Sequence, residues 1–206
     1  MIRSVLSFSV CALIGYLLGC SNMALYISRL KETDLRKTGS KNLGTGNTYL
    51  TFGLGWSVLV FVHDAGKSAL AIHICQCFFP GVAALGYVIG SAAVLGHIFP
   101  FYLRFRGGKG FAAYLGMILM LNWRVGIIAI LSVAVIALIT DYFVIASTVT
   151  LIVYPIYTAF VTQSFVAVAA VSFTSIVIIC LHRQNFVRLS EGTEPKILEK
   201  WSRNLL

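Results

Sequence analysis

Of the 206 residues, 58% are apolar and 11% charged, with a mean hydropathy of +0.88. An ordinary soluble domain carries roughly 25% charged residues, so composition excludes one and predicts an all-α polytopic membrane protein, a single domain over residues 1–206. The net charge of +9 does not point to nucleic acid: apart from Arg3, Lys67 and Arg124, every lysine and arginine falls in residues 29–41, 104–109 or 183–203.

Apolar stretches cover residues 4–27, 52–79, 81–103, 111–123, 125–140, 142–161 and 164–181. About 20 residues cross the hydrocarbon core as a helix, so about seven transmembrane helices are expected, the fourth being short. The three basic segments belong on the cytoplasmic side, with the N-terminus outside. An even number of crossings between Phe111 and Leu181 then returns the tail to the side of Lys109. Asp141, between two apolar stretches, is expected at an external turn.

The first stretch contains a decoy. Arg3 and the run Leu17-Leu18-Gly19-Cys20 have the form of a lipoprotein signal. Cleavage there would leave the basic residues that follow outside, so the stretch is kept as a helix. The cysteines Cys11, Cys20, Cys75, Cys77 and Cys180 lie in apolar stretches without metal-site spacing, and packing accounts for them. Gly66-Lys67-Ser68 has the end of a phosphate-loop motif but Phe61 where its first glycine belongs. Asp64 and Lys67, at i and i+3, share a helix face and are expected to pair inside the membrane, either as bracing or as part of a site.

Polar chemistry concentrates in the basic segments. Residues 34–47 form a loop of small and hydrogen-bonding residues in which Ser40, Asn42 and Asn47 suit an anion or a polyol. Residues 97–110 begin His97-Ile98-Phe99-Pro100 and end Gly107-Gly108-Lys109-Gly110. Glycine lets bare backbone N–H groups approach a phosphate and Lys109 neutralises it. Phe99, Phe101, Tyr102 and Phe105, interleaved with Arg104 and Arg106, fit an interfacial anchor. In the third segment, continuation of the last helix would put His182, Asn185 and Arg188 on one face.

Three blocks carry a resemblance. Residues 34–47 resemble D-[IL]-R-x-x-G-S-G-N-x-G-A-T-N, residues 96–110 match G-H-I-F-P-x-x-x-x-[FY]-[KR]-G-G-K-G, and residues 182–196 resemble H-x-x-N-x-x-R-L-x-x-G-x-E-x-K. In this order they resemble the bacterial acyl-phosphate:glycerol-3-phosphate acyltransferase family, PlsY, of which the chain looks like a divergent member. The Asp64/Lys67 pair also matches a D-x-x-K of the family's second helix.

The resemblance implies transfer of a fatty acyl group from acyl phosphate to the sn-1 hydroxyl of glycerol 3-phosphate, at the cytoplasmic face of a bacterial cell membrane. It implies Ser40, His182 and Asn185 as the catalytic set. It further implies Lys41, Asn42, Asn47, His97, Gly107, Gly108, Lys109, Gly110, Arg188 and Glu194 as substrate-binding. Membrane lipid is the third partner, and neither metal nor cofactor is expected.

Departures from the family pattern are local. The family usually has glycine where Lys41 stands, alanine–threonine where Thr45-Gly46 stands, and a phosphate-binding arginine where Leu50 stands; its G-S-x-P reads Gly19-Cys20-Ser21-Asn22. These changes leave a second reading open, a non-catalytic or altered-acceptor member binding lipid or partner proteins. A transporter would place binding elements at mid-membrane or repeat its halves, and only Asp64/Lys67 hints at either.

Overall fold

The computed structural model describes residues 2–197, and the regular elements among them are helical. They are α1 (Ile2–Gly19), α2 (Met23–Leu30), α3 (Thr45–Phe52), α4 (Leu54–Phe78), α5 (Ala83–Ile98), α6 (Phe111–Leu121), α7 (Trp123–Thr140), α8 (Phe143–Thr162), α9 (Phe165–Leu181) and α10 (Arg183–Ser190). Lys200 and Arg203 of the basic tail lie outside the described residues.

Each apolar stretch becomes a helix, but the expected count of seven spans is not reached. Among the described residues five segments are long and apolar enough to cross, and the pair α9 and α10, bent by 47°, makes a sixth if counted as one. The fourth stretch yields α6, whose 11 residues extend about 16 Å, roughly half the hydrocarbon thickness. The first stretch is broken: α1 ends at Gly19, and the buried Asn22 starts α2 by accepting the Leu25 N–H at 2.9 Å.

The chain divides into two compact units, one ending at Trp123 and one beginning at Arg124. In the first, α1 packs on α5, and α4 packs on α5 and α6. Glycines allow these backbones to touch. A Cβ on Gly15 would stand 2.6 Å from the Ile89 carbonyl oxygen, one on Gly19 would overlap the Ala93 backbone, and one on Gly96 the Tyr16 carbonyl. Gly15 and Gly19 are four apart on one face, the small-residue spacing that brings membrane helices together by close van der Waals contact. Gly116 of α6 meets the Ala65 backbone of α4 in the same way. These close crossings bring the polar residues of α4 against the C-terminal end of α5.

In the second unit α8 packs on α9, and α7 exposes Ile127, Ile128, Leu131, Val135, Leu138 and Ile139, a surface suited to lipid. The α7–α8 turn corrects a sequence expectation. Asp141 has a left-handed backbone, φ +65°, and its carbonyl accepts the Ile197 N–H at 3.1 Å. The turn therefore sits at the same end of this unit as the C-terminal segment. Asp141 and the tail cannot lie on opposite membrane faces, because α8 and α9 form one antiparallel return between them.

Candidate active site

The first polar loop is built around Asn47. Two apolar residues, Leu35 and Leu43, plug into a cluster with Ala24, Leu25, Ile27 and Val60. Ser28 of α2 pins the start of the loop, donating to the Thr33 carbonyl at 2.6 Å and accepting the Leu35 N–H at 3.1 Å. From α3, Asn47 accepts the Ser40 N–H at 2.7 Å and donates to the carbonyls of Leu35 at 2.7 Å and Thr38 at 3.1 Å. It is 1% exposed. Its side chain is engaged in shaping the loop, so Asn47 acts there as a brace, unlike Ser40 and Asn42, whose side chains make no hydrogen bond among the described residues and are partly exposed.

Around this brace the backbone is left-handed twice, at Gly39 (φ +54°) and Lys41 (φ +56°). The second value explains why glycine suits the position of Lys41: an L side chain there costs about 1 kcal/mol. The Lys41 side chain is exposed. Asp34 opens the loop in a forked pair with Arg36, Oδ1 to Nε at 2.9 Å and Oδ2 to Nη2 at 3.2 Å. These bonds hold the Asp34 carboxyl below its ordinary pKa.

The glycine–lysine segment folds back on the end of α5. After Pro100 and a short 3₁₀ turn over Phe101–Leu103, Arg104 and Phe105 are left-handed, and the chain returns so that Gly107 N–H donates to the Ile98 carbonyl at 2.9 Å and Gly108 N–H to the His97 carbonyl at 3.2 Å. Those two amides are therefore engaged, which corrects the expectation that they face an anion. The glycines are needed for closeness instead. A Cβ on Gly107 would overlap the His97 carbonyl oxygen, and one on Gly108 would overlap His97 Nε2 and the Leu43 carbonyl oxygen. The first two motifs thus meet at Gly108. Gly110, at φ +90°, starts α6, whose positive N-terminal end follows the half-buried Lys109 directly. Of the interleaved aromatics, Phe101 and Phe105 are exposed, as an interfacial anchor requires, while Tyr102 donates to the Cys20 carbonyl at 2.7 Å.

Behind Gly108 lies a buried polar cluster. Lys67 Nζ donates to Asp64 Oδ1 at 3.1 Å and to the Ser21 carbonyl at 2.6 Å, and stands 2.7 Å from His97 Nδ1. Asp64, Lys67 and His97 are 1%, 7% and 2% exposed. His63 extends the cluster, with Nδ1 3.3 Å from Asp64 Oδ1 and Nε2 3.0 Å from Ser21 Oγ. The i, i+3 pairing of Asp64 and Lys67 is as the spacing predicts. His63 and Ser21 were not singled out by the sequence, although a histidine next to an aspartate in an apolar helix was the available signal. Gly66-Lys67-Ser68 lies in the middle of α4, far from any strand-to-helix turn.

The second unit carries the third motif. The last helix does not continue straight: α9 ends at Leu181, His182 is the joint, and α10 departs at 47°. His182 Nδ1 is 2.8 Å from the Ile178 carbonyl. A carbonyl only accepts, so Nδ1 carries the proton. Glu194 returns over α10 and bridges two motif residues, accepting from Asn185 Nδ2 at 2.6 Å and Arg188 Nε at 2.8 Å. Asn185 and Arg188 do share a face, and the carboxylate that holds them is Glu194 itself.

Comparison with known proteins agrees with these motifs. A family model described as glycerol-3-phosphate acyltransferase matches residues 9–192. A relative of that name from Coxiella burnetii (strain RSA 493 / Nine Mile phase I) is 35% identical over 93% of this chain and 99% of its own length. One from Synechococcus sp. (strain CC9902) is 39% identical over 91% and 94%. Among solved structures, the glycerol 3-phosphate form of PlsY (YgiH), an integral membrane glycerol 3-phosphate acyltransferase, superposes with a TM-score of 0.86 at 30% identity, covering 93% of this chain and 96% of that one. The lysophosphatidic acid form of the same protein gives 0.82 at 29% identity, over 92% and 95%.

Proposed function

We propose that this chain, which belongs to the glycerol-3-phosphate acyltransferase family, transfers a fatty acyl group from acyl phosphate to the sn-1 hydroxyl of glycerol 3-phosphate. The products are lysophosphatidic acid and phosphate, and the reaction runs at the cytoplasmic leaflet of a bacterial cell membrane as part of phospholipid synthesis. The observation that carries the reading is the meeting of the first two motifs at Gly108, where a braced polar loop lies against the glycine–lysine turn.

Acyl phosphate is a mixed anhydride, already activated toward attack. The acceptor hydroxyl adds to the carbonyl carbon, the bond to the phosphate oxygen breaks, and the departing phosphate accepts the hydroxyl proton. Positioning and charge neutralisation are the protein's main tasks, and a covalent nucleophile is unnecessary. Lys109, Gly110 and the N-terminal end of α6 attract the donor phosphate, with Gly107 and Gly108 keeping the turn close to His97. Ser40 and Asn42 offer uncommitted hydrogen-bonding side chains to glycerol 3-phosphate, and Asn47 holds that loop in shape. His182 and Asn185 orient the attacking hydroxyl; Glu194 sets Asn185 and Arg188.

One departure favours a second reading. Leu50 stands one turn beyond Asn47 on α3, where the family pattern has its arginine, so an altered acceptor is the rival. A radiolabelled acyl-phosphate assay of the purified protein, with and without glycerol 3-phosphate, distinguishes them. Label in lysophosphatidic acid only when glycerol 3-phosphate is present is the expected result. Label passing to another hydroxyl compound, or no transfer, overturns the proposed acceptor.

A further inference from the structure

Lys67 makes contacts that do more than neutralise Asp64. An ammonium has three N–H donors and accepts nothing. In Lys67 all three directions end on an acceptor: the Ser21 carbonyl at 2.6 Å, Asp64 Oδ1 at 3.1 Å and His97 Nδ1 at 2.7 Å. The last contact is decisive. With Lys67 kept charged by Asp64, a protonated Nδ1 at that separation would place two N–H groups against each other, so Nδ1 holds a lone pair. His97 Nδ1 also lies 3.4 Å from Asp64 Oδ1, a longer contact than the one to Lys67. With Nδ1 accepting, the neutral ring carries its proton on Nε2. That nitrogen has no hydrogen-bond partner among the described residues, and it occupies the space that a side chain on Gly108 would fill.

We infer that Lys67 and Asp64 are positioning residues that lock His97 in the Nε2–H form, aiming that donor at the phosphate drawn by Lys109, Gly110 and the N-terminal end of α6. The inference rests on that reading of the turn. Asp64 contributes by holding Lys67 charged and in place within an apolar helix, where an unpaired ammonium is strongly disfavoured. The chain of contacts spans three elements, from the Ser21 carbonyl between α1 and α2, through α4, to the end of α5. The close glycine crossings of α1 and α5 therefore control the direction of a hydrogen bond at the turn. Gly108 is required for the same reason: any larger residue would displace the imidazole edge.

The test uses the full chain in detergent or lipid nanodiscs with ¹⁵N-labelled histidine, the His97 signals being assigned by their loss in His97→Asn. In the wild type, His97 Nδ1 should show the shift of a bare, pyridine-type nitrogen and Nε2 that of an N–H. Inorganic phosphate should move the Nε2–H signal. In Lys67→Met, Nδ1 should become protonated toward Asp64, and KM for acyl phosphate should rise about tenfold, the loss of one charge-supported hydrogen bond. Lys67→Arg, which keeps a cationic donor, should retain the bare Nδ1 and recover part of the affinity. A protonated Nδ1 in the wild type, no response to phosphate, or an unchanged Nδ1 in Lys67→Met overturns the inference. The wild-type spectrum decides even if Lys67→Met does not fold. Failure to acylate glycerol 3-phosphate, with the bare Nδ1 and phosphate response intact, overturns the proposed acceptor and leaves this inference standing.

Discussion

Replacing Lys41 with glycine separates the fold of the first loop from its chemistry. Lys41 occupies a left-handed backbone, φ +56°, so glycine relieves about 1 kcal/mol of local strain. Glycine also frees the unfolded chain by about 0.4–1 kcal/mol, and the two effects nearly cancel. Thermal unfolding of Lys41→Gly should therefore match the wild type within about 0.5 kcal/mol. Substrate binding should not match. Lys41 follows Ser40, whose N–H is bonded to Asn47, and residue 50 lies one turn beyond Asn47, so both positions border the same braced loop. If Lys41 replaces the family arginine as the phosphate cation, its loss removes a charge-assisted hydrogen bond. Because the side chain is exposed, the low end of the range applies, about 1.5 kcal/mol, or roughly tenfold in KM for glycerol 3-phosphate. Steady-state kinetics with glycerol 3-phosphate varied should show that rise with kcat little changed, the mark of lost ground-state binding. Leu50→Arg added to Lys41→Gly should restore KM, since the two cations are alternatives at one phosphate. An unchanged KM in Lys41→Gly, or strictly additive effects without rescue, refutes the compensation. A large drop in unfolding temperature refutes the strain argument instead.

Asn47→Ala should behave in the opposite way, destabilising by about 3 kcal/mol because it leaves the Ser40 N–H and the Leu35 and Thr38 carbonyls unmatched; thermal unfolding and proteolysis of the loop report it. Gly108→Ala should abolish transfer in an inserted, monodisperse protein, whereas Gly46→Ala, where a Cβ meets nothing within 4 Å, should remain active; equal activities would remove the close-approach argument. Single cysteines at Lys41, Arg106, Asp141 and Ser190 should all be shielded from a membrane-impermeant reagent in intact cells. Labelling at Asp141 with shielding at Ser190 would contradict the bond between the α7–α8 turn and Ile197.

Much of this protein is legible in its sequence because the membrane imposes local rules. Apolar runs must become helices to satisfy their own backbone, and hydropathy reads them directly. Cations mark the polar segments, and the three motif blocks identify the family because each is short and contiguous. The Asp64/Lys67 pair was readable for the same reason, being one helical turn apart. What escaped depends on contacts between residues far apart in the chain. Asn47 resembles a ligand until the tertiary structure shows its amide engaged by the carbonyls and the N–H of the loop before it. Gly107 and Gly108 resemble anion donors until the chain doubles back and engages their amides on α5. Neither the break at 20–22 nor the bend at His182 interrupts the apolar pattern enough to announce itself, whereas the shortness of α6 is visible in its apolar run. The link from Lys67 to His97 crosses 30 positions and exists because glycine faces let helices approach to backbone contact. Hydropathy is a property of a segment and can be read along the chain, whereas the direction of a buried hydrogen bond belongs to the packing of several segments at once.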